Sequence, residues 1–297
     1  MYHRRMCIRI LSLCLLLLSL VGYAAAETPF PAIGKPAQYF PGKFIWFDLV
    51  TDDLNTEKKF YAEVFGWKFR TLENAPASYT IIEDDGRDIG GMFVHAPPAD
   101  ARSHARWLSL ISVSDPEQVS QYVKQKGGSV LVPPSNFSGR GTHALFRDPQ
   151  GAVFGVLKSA SGDPPDTPVN DGDFFWLDLL TTDPSTAAQF YQGLAGYETY
   201  AKELGEGFKR IVLASGGYAR AGIAPLPARM KKPGWLPYIL VTDVTATLKM
   251  VRAAGGKVLV EPRQDLLDSH LAVIADPRGG VLGIVNWLPA QEAEAAQ

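Results

Sequence analysis

The sequence predicts an α+β protein of two tandem modules. Each module is built from two βαβββ halves that form a cupped mixed sheet with helices outside. Two observations carry that expectation. The first is a long repeat: FIWFDLVTDD at 44–53 returns as FFWLDLLTTD at 174–183. Trp46 and Trp176 stand 130 residues apart, as do Phe60-Tyr61 and Phe190-Tyr191, while Trp107 and Trp235 are 128 apart. Self-similarity at one long period is the mark of a duplicated unit. The second is a repeat inside that repeat. An apolar run, an aspartate and a helix-like segment occur four times, at Asp53, Asp115, Asp183 and Asp243.

Taken in chain order, residues 1–26 read as a secretory signal peptide. Arg4, Arg5 and Arg9 form a basic start, Ile10 to Val21 is uncharged and apolar, and Ala24-Ala25-Ala26 offers a cleavage site. The apolar run is too short for a comfortable membrane span. Residues 27–41 form an N-terminal segment, 42–158 the first module, 159–172 a linker rich in Pro, Asp, Gly and Ser, 173–288 the second module and 289–297 a tail. Within each module the helix starts are well signed. Asp115-Pro116 and Asp183-Pro184 place a capping carboxylate before a proline whose missing N–H costs nothing in the first turn. Leu54, Phe60, Tyr61, Val64 and Phe65 make one apolar helical face. Gly127-Gly128 and Gly255-Gly256 end helices. Short alternating runs such as SYTIIED and KVLVEP follow as strands.

Composition narrows the function classes. The chain carries 29 Lys+Arg against 31 Asp+Glu, a formal charge of −2 that becomes about −5 without the leader, so no basic surface supports nucleic-acid binding. No apolar stretch after the leader predicts a membrane span. Both cysteines, Cys7 and Cys14, lie in the leader, which removes thiol nucleophiles and thiolate metal sites from the mature chain. The expected location is exported, periplasmic or extracellular.

Strand-(T/S)-D followed by Phe-Tyr early in a module, with DPQGAVFG at 148–155 and DPRGGVLG at 276–283 near its end, resembles the vicinal oxygen chelate superfamily. That superfamily comprises glyoxalases, bleomycin-resistance proteins and extradiol dioxygenases. The resemblance implies a cup that usually holds a divalent metal on a first-strand His or Gln and a last-strand Glu. Carried over by position, the first-strand ligand would fall at Trp46, Leu108, Trp176 and Leu236. The last-strand ligand would fall at Gly155 and Gly283, with Gly91 and Gly222 fitting the earlier halves. None of these side chains ligates a divalent cation, so neither a metal nor any other cofactor is expected.

Alternation along a strand puts Trp46, Asp48 and Val50, and equally Trp176, Asp178 and Leu180, on the concave face. Phe175, Leu177 and Leu179 are expected beneath the helices. A strand glycine permits close approach, so the indoles are expected to fill the space opened by the glycines. The two tryptophans then either plug the cup as core or floor a ligand pocket. Asp48 and Asp178 must find partners on an apolar face, as anchors, as ligand contacts or as a general base, and Tyr238 is a candidate partner for Asp178. The expected ligand-binding set is therefore Trp46, Asp48, Leu108, Gly155, Trp176, Asp178, Tyr238 and Gly283. His95 and His104 flank the loop APPADARS, where solvated loop histidines are the first expectation and a metal clip with an aspartate the alternative, whereas His143 and His270 are offset by one residue and form no repeated site. The leading expectation is a metal-independent protein that binds a small organic molecule in its cup or cups. The alternatives are a metal-free isomerase or lyase using Asp48 or Asp178, and a metal-dependent glyoxalase or dioxygenase.

Overall fold

The computed structural model describes residues 30–73, 78–95, 104–203, 209–228 and 230–287. The signal segment at 1–26, the APPADARS loop and the tail at 289–297 lie outside the described residues. The first module runs β1 (Phe44–Thr51), α1 (Leu54–Phe65), β2 (Lys68–Thr71), β3 (Thr80–Asp84), β4 (Arg87–Val94), β5 (Ala105–Ser112), α2 (Pro116–Gln125), β6 (Ser129–Phe137), β7 (Gly141–Arg147) and β8 (Val153–Ser159). The second repeats it as β9 (Phe174–Thr181), α3 (Pro184–Ala195), β10 (Glu198–Glu203), β11 (Lys209–Ser215), β12 (Tyr218–Pro225), β13 (Gly234–Leu240), α4 (Val244–Ala253), β14 (Lys257–Val260), β15 (Leu271–Ala275) and β16 (Val281–Val285).

Each module is one eight-stranded sheet. The orders are β2-β3-β4-β1-β5-β8-β7-β6 and β10-β11-β12-β9-β13-β16-β15-β14. The first strands of the two halves, β1 and β5, pair antiparallel at the centre, and each is flanked by the last strand of its own half in parallel. All four expected aspartates cap their helices: Asp53 and Asp115 each accept two backbone N–H groups, Asp183 and Asp243 one. A cap of this kind contributes about 1 kcal/mol. The chain leaves α1 and α3 through Gly66 and Gly196 at φ of 76° and 69°, a left-handed turn that glycine takes without steric cost.

One large apolar core joins the modules. It takes Phe47, Leu49, Phe60 and Trp107 from the first and Leu177, Leu179, Phe190 and Ile239 from the second. Phe47 stacks on Phe174 with centroids 3.8 Å apart. Polar contacts across this core are reciprocal. The Tyr61 hydroxyl donates to Asp276 (2.8 Å) and the Tyr191 hydroxyl to Asp148 (3.1 Å). The Trp67 indole donates to the Gly172 carbonyl (2.8 Å) and the Tyr197 hydroxyl to the Gly42 carbonyl (2.6 Å). Each D-P-x-G turn is thus held by the other module's helix, an approximate twofold built into one chain. The stretch 159–172, read from composition as a linker, is packed: Asp163 accepts from the Phe40 N–H, and Asp166 pairs with Lys43 and Arg220.

One facing assignment is corrected. A register shift in the β9–β13 ladder falls between Tyr238, opposite Trp176, and Ile239, opposite Phe174. The extra residue, Phe175, turns away from the helices and packs with Trp176 in the concave cluster. A bulge inserts one residue and so resets the alternation on which the sequence argument relied.

Candidate functional site

With the helices and convex faces consumed by the shared core, each module has its own concave cluster. In the first cup, Trp46 and Asp48 sit side by side on β1. The Trp46 indole donates to Asp48 (2.9 Å) and lies 2.8 Å from the Tyr79 hydroxyl, which itself donates to Asp48. Arg140, from the turn between β6 and β7, lays its guanidinium 4.2 Å from the Trp46 ring centroid and brings Nη2 within 3.8 Å of Asp48. Phe30 and Ile33 of the N-terminal segment close over this cluster. Trp46 is 1% exposed and Arg140 5%. His143 stacks on Phe137 beside them, and burial pushes its pKa below the ordinary value.

The second cup uses the same first-strand pair with different partners. The Trp176 indole donates to Asp178 (3.0 Å), and Arg210 on β11 donates to the other carboxylate oxygen (2.6 Å). Asp178 is fully buried. Arg210 occupies the place of Tyr79, since Val212 pairs with Gly222 as Ile81 pairs with Gly91. The Tyr238 hydroxyl is buried near Asp178. Burial first, and then the Asp178 charge, push its pKa well above the usual tyrosine value. Among the described residues no segment equivalent to that of Phe30 and Ile33 covers this cup. A cavity of about 330 Å³ opens over Trp176, Arg210, Tyr238 and Trp287.

The expected residues are therefore brought together within each cup but not across the two. Leu108 stands opposite Asp48, Leu110 opposite Gly155, and Tyr238 opposite both Trp176 and Gly283. The glycines do admit close neighbours, but those neighbours are not the indoles, which corrects the expectation above. A Cβ added at Gly91 would stand 2.0 Å from the Tyr79 oxygen, and one at Gly283 2.0 Å from Tyr238 Cδ1. One at Gly222 would meet Asp178 and Arg210. One at Gly155 would come within 3.1 Å of Leu110 and Leu145. The residues directly opposite a glycine lie two positions beyond each tryptophan or come from a neighbouring strand, so they reach the space first.

Sequence reasoning missed Tyr79, Arg140, Lys202, Arg210 and Trp287. A signal for one of them existed. Aligning SYTIIED with KRIVLAS sets Tyr79 against Arg210 at the same concave position, where a side chain could reach the first-strand aspartate. Arg140 carried no such signal, because its cup is chosen by a distant turn.

A divalent cation does not fit either donor set. Each cup offers one carboxylate, already held by an indole N–H and approached by a guanidinium whose charge repels a cation. The remaining positions are Trp, Leu and Gly, which supply no ligand. Among the described residues no three His, Cys, Asp or Glu side chains cluster closely enough to hold a metal. The proposed histidine clip is also otherwise engaged. His104 lies 2.8 Å from Asp52, which Arg278 holds through two nitrogens at 2.8 and 2.6 Å.

The family model of the Glyoxalase/Bleomycin resistance protein/Dioxygenase superfamily matches residues 43–156. "Putative glyoxylase CFP32" of Mycobacterium bovis is 30% identical over 260 residues, covering 86% of this chain and 99% of that protein. "Anthracycline biosynthesis protein DauV" of Streptomyces sp. strain C5 is 28% identical over 277 residues, covering 87% and 98%. Among solved structures, the Mn(II)-bound glyoxalase from Novosphingobium aromaticivorans superposes with a TM-score of 0.56 at 18% identity, covering 83% of this chain and 82% of that one. The 2,2',3-trihydroxybiphenyl 1,2-dioxygenase from Sphingomonas wittichii strain RW1 gives 0.57 at 14%, covering 84% and 91%. At those identities the structural likeness concerns the fold.

Proposed function

Because the chain belongs to the Glyoxalase/Bleomycin resistance protein/Dioxygenase superfamily, its cups are the natural place for function, and we propose that the second cup binds a small organic molecule without a divalent metal. The observation that carries this is the contrast between the cups. The first is filled by Arg140, Phe30 and Ile33, whereas the second opens into a cavity of about 330 Å³ walled by aromatic side chains. That volume falls at the lower end of the ~300–1,000 Å³ usual for small-molecule sites. The first module then serves as structural support for the second through the shared core. Arg210 and Trp176 occupy the Asp178 oxygens, which favours a binding role over proton transfer for that carboxylate. The basic, apolar and small-residue succession at 1–26 supports export as the setting in which binding occurs.

The test is a thermal-shift screen of small organic molecules, with and without EDTA, on the wild type and on Ala219→Trp. Ala219 is an exposed residue at the cavity wall, so the indole would obstruct the cavity with little strain on the core. Hits that are insensitive to EDTA and lost in Ala219→Trp support the reading. Hits that survive Ala219→Trp, or that require added metal, overturn it.

A further inference from the structure

The walls of the second cup carry an electrostatic imbalance that the first lacks. Lys202 on β10 lies directly opposite Arg210 on β11, on the same concave face. Like charges in directly opposed positions of an antiparallel pair repel. One carboxylate, Asp178, faces these two cations, and it is spent on Arg210. Lys202 has no carboxylate within ion-pair distance among the described residues. In the first cup Leu72 and Tyr79 occupy the equivalent places, and Asp48 faces the single cation Arg140. Among the described residues the first cup is thus charge-balanced, and the second carries one positive charge over.

A second observation points the same way. The Trp287 indole N–H is buried at the cavity wall and finds no acceptor among the described residues. Buried donors are almost always satisfied, so one left open beside a cavity calls for an acceptor from the occupant. The remaining walls combine aromatic rings with the aliphatic side chains of Val212, Leu267, Leu271 and Val285. Phe175 packs on Trp287 at 5.6 Å, and Trp176, Tyr200 and Tyr238 also line the space.

From these features we propose that the second cup takes a planar aromatic anion of one or two rings. Its rings would lie among Trp176, Phe175 and Trp287, and its anionic group would be held by Lys202 and Arg210. The inference rests on the second cup being the binding cup and adds the chemical class of the ligand. The cavity volume sets the ring count. The aromatic walls set the planarity. The unbalanced cation and the open indole donor set the sign of the charge.

Calorimetric titration of the purified chain with three probes of one shape tests this: 2-naphthoate, 2-naphthalenemethanol and 2-naphthylmethylammonium. The expected order is naphthoate tighter than the alcohol by about tenfold, the scale of one charge-assisted hydrogen bond, with the ammonium weakest. Lys202→Met keeps the length and removes the charge. It should bring naphthoate to the alcohol's affinity and leave the alcohol unchanged, with an unaltered melting temperature showing that the variant is folded. Should the alcohol or the ammonium bind as tightly as naphthoate, yet be lost in Ala219→Trp, the charge assignment is wrong and the cup reading stands. Should none of the three bind in a way that Ala219→Trp abolishes, both this inference and the cup reading fail for aromatic ligands. A hit from the wider screen that is lost in Ala219→Trp would then rescue the cup reading alone.

Discussion

The two cups start from the same strand and end in opposite states. Both place a tryptophan and an aspartate two residues apart, and in both the indole N–H bonds the carboxylate. In the first, a neutral tyrosine just before β3 completes the aspartate and a distant arginine lies over the indole, with Phe30 above. In the second, an arginine replaces the tyrosine and the space above remains open. A duplicated scaffold can therefore keep one copy as packing and leave the other concave. The change depends on only a few side chains, because the first-strand pair is common to both. The lesson is that a repeated motif reports a repeated scaffold, while function follows from what closes over each copy.

The largest expected effect comes from removing each arginine. Arg210→Met would leave the fully buried Asp178 carboxylate without its counter-charge. Breaking a buried pair from one side costs about 3–5 kcal/mol. Arg140→Met leaves Asp48 with both the Tyr79 and Trp46 donors, so the loss should be smaller, about 1–2 kcal/mol. Urea unfolding of the two variants decides the matter, and equal losses would erase the distinction between the cups.

The contrast extends to the two inter-module clamps. Glu57 lies buried beside the Tyr61–Asp276 bond, whereas the equivalent residue near Tyr191–Asp148 is Ala187. Burial, then the Asp276 charge, push the Glu57 carboxyl up to about 9. A folded-state pKa above the unfolded value means the native state binds the extra proton. The associated stability is fully present below about pH 4.5 and is lost progressively as the pH rises towards 9. Glu57→Gln, which stays neutral, should flatten that fall and stabilise the protein at pH 8.5 by about 1–3 kcal/mol. Melting curves from pH 5.5 to 8.5 on both proteins provide the check, and parallel pH slopes would refute it.

The smallest effect concerns the cover of the first cup. Phe30→Ala removes a partly buried ring that packs edge-on against Tyr79 at 4.9 Å. A loss of about 1 kcal/mol is expected, together with acrylamide quenching of Trp46 that the wild type resists. A Trp46-only variant background isolates that signal. If quenching is unchanged, Arg140 alone seals the cup.

Much of the scaffold was legible from the sequence because it rests on local chemistry. The four aspartate caps, the glycine exits from the helices and the alternation of β1 and β9 each depend on a few adjacent residues, and duplication let each signal be read twice. The placement of Trp176 and Asp178 on one face followed from the same two-residue spacing, whereas the bond between them did not. Phe175 was misplaced because a bulge is set by strand pairing and leaves the alternation of side chains looking intact. The space at the glycines was assigned to the indoles because position along the chain does not reveal which neighbour across the ladder is nearer.

The sequence by itself determined two βαβββ-pair modules, their order, the capped helices and a tryptophan–aspartate pair on each concave face. Only the tertiary structure decided that Tyr61 of one module would clamp Asp276 of the other, that Arg140 and Phe30 would fill one cup, and that Lys202 and Arg210 would stand side by side on one wall of the second. Local motifs act through neighbours along the chain and are written there. Closure of a cup depends on residues tens to more than a hundred positions apart, such as Phe30 and Arg140, whose meeting is fixed by the packing of the whole molecule.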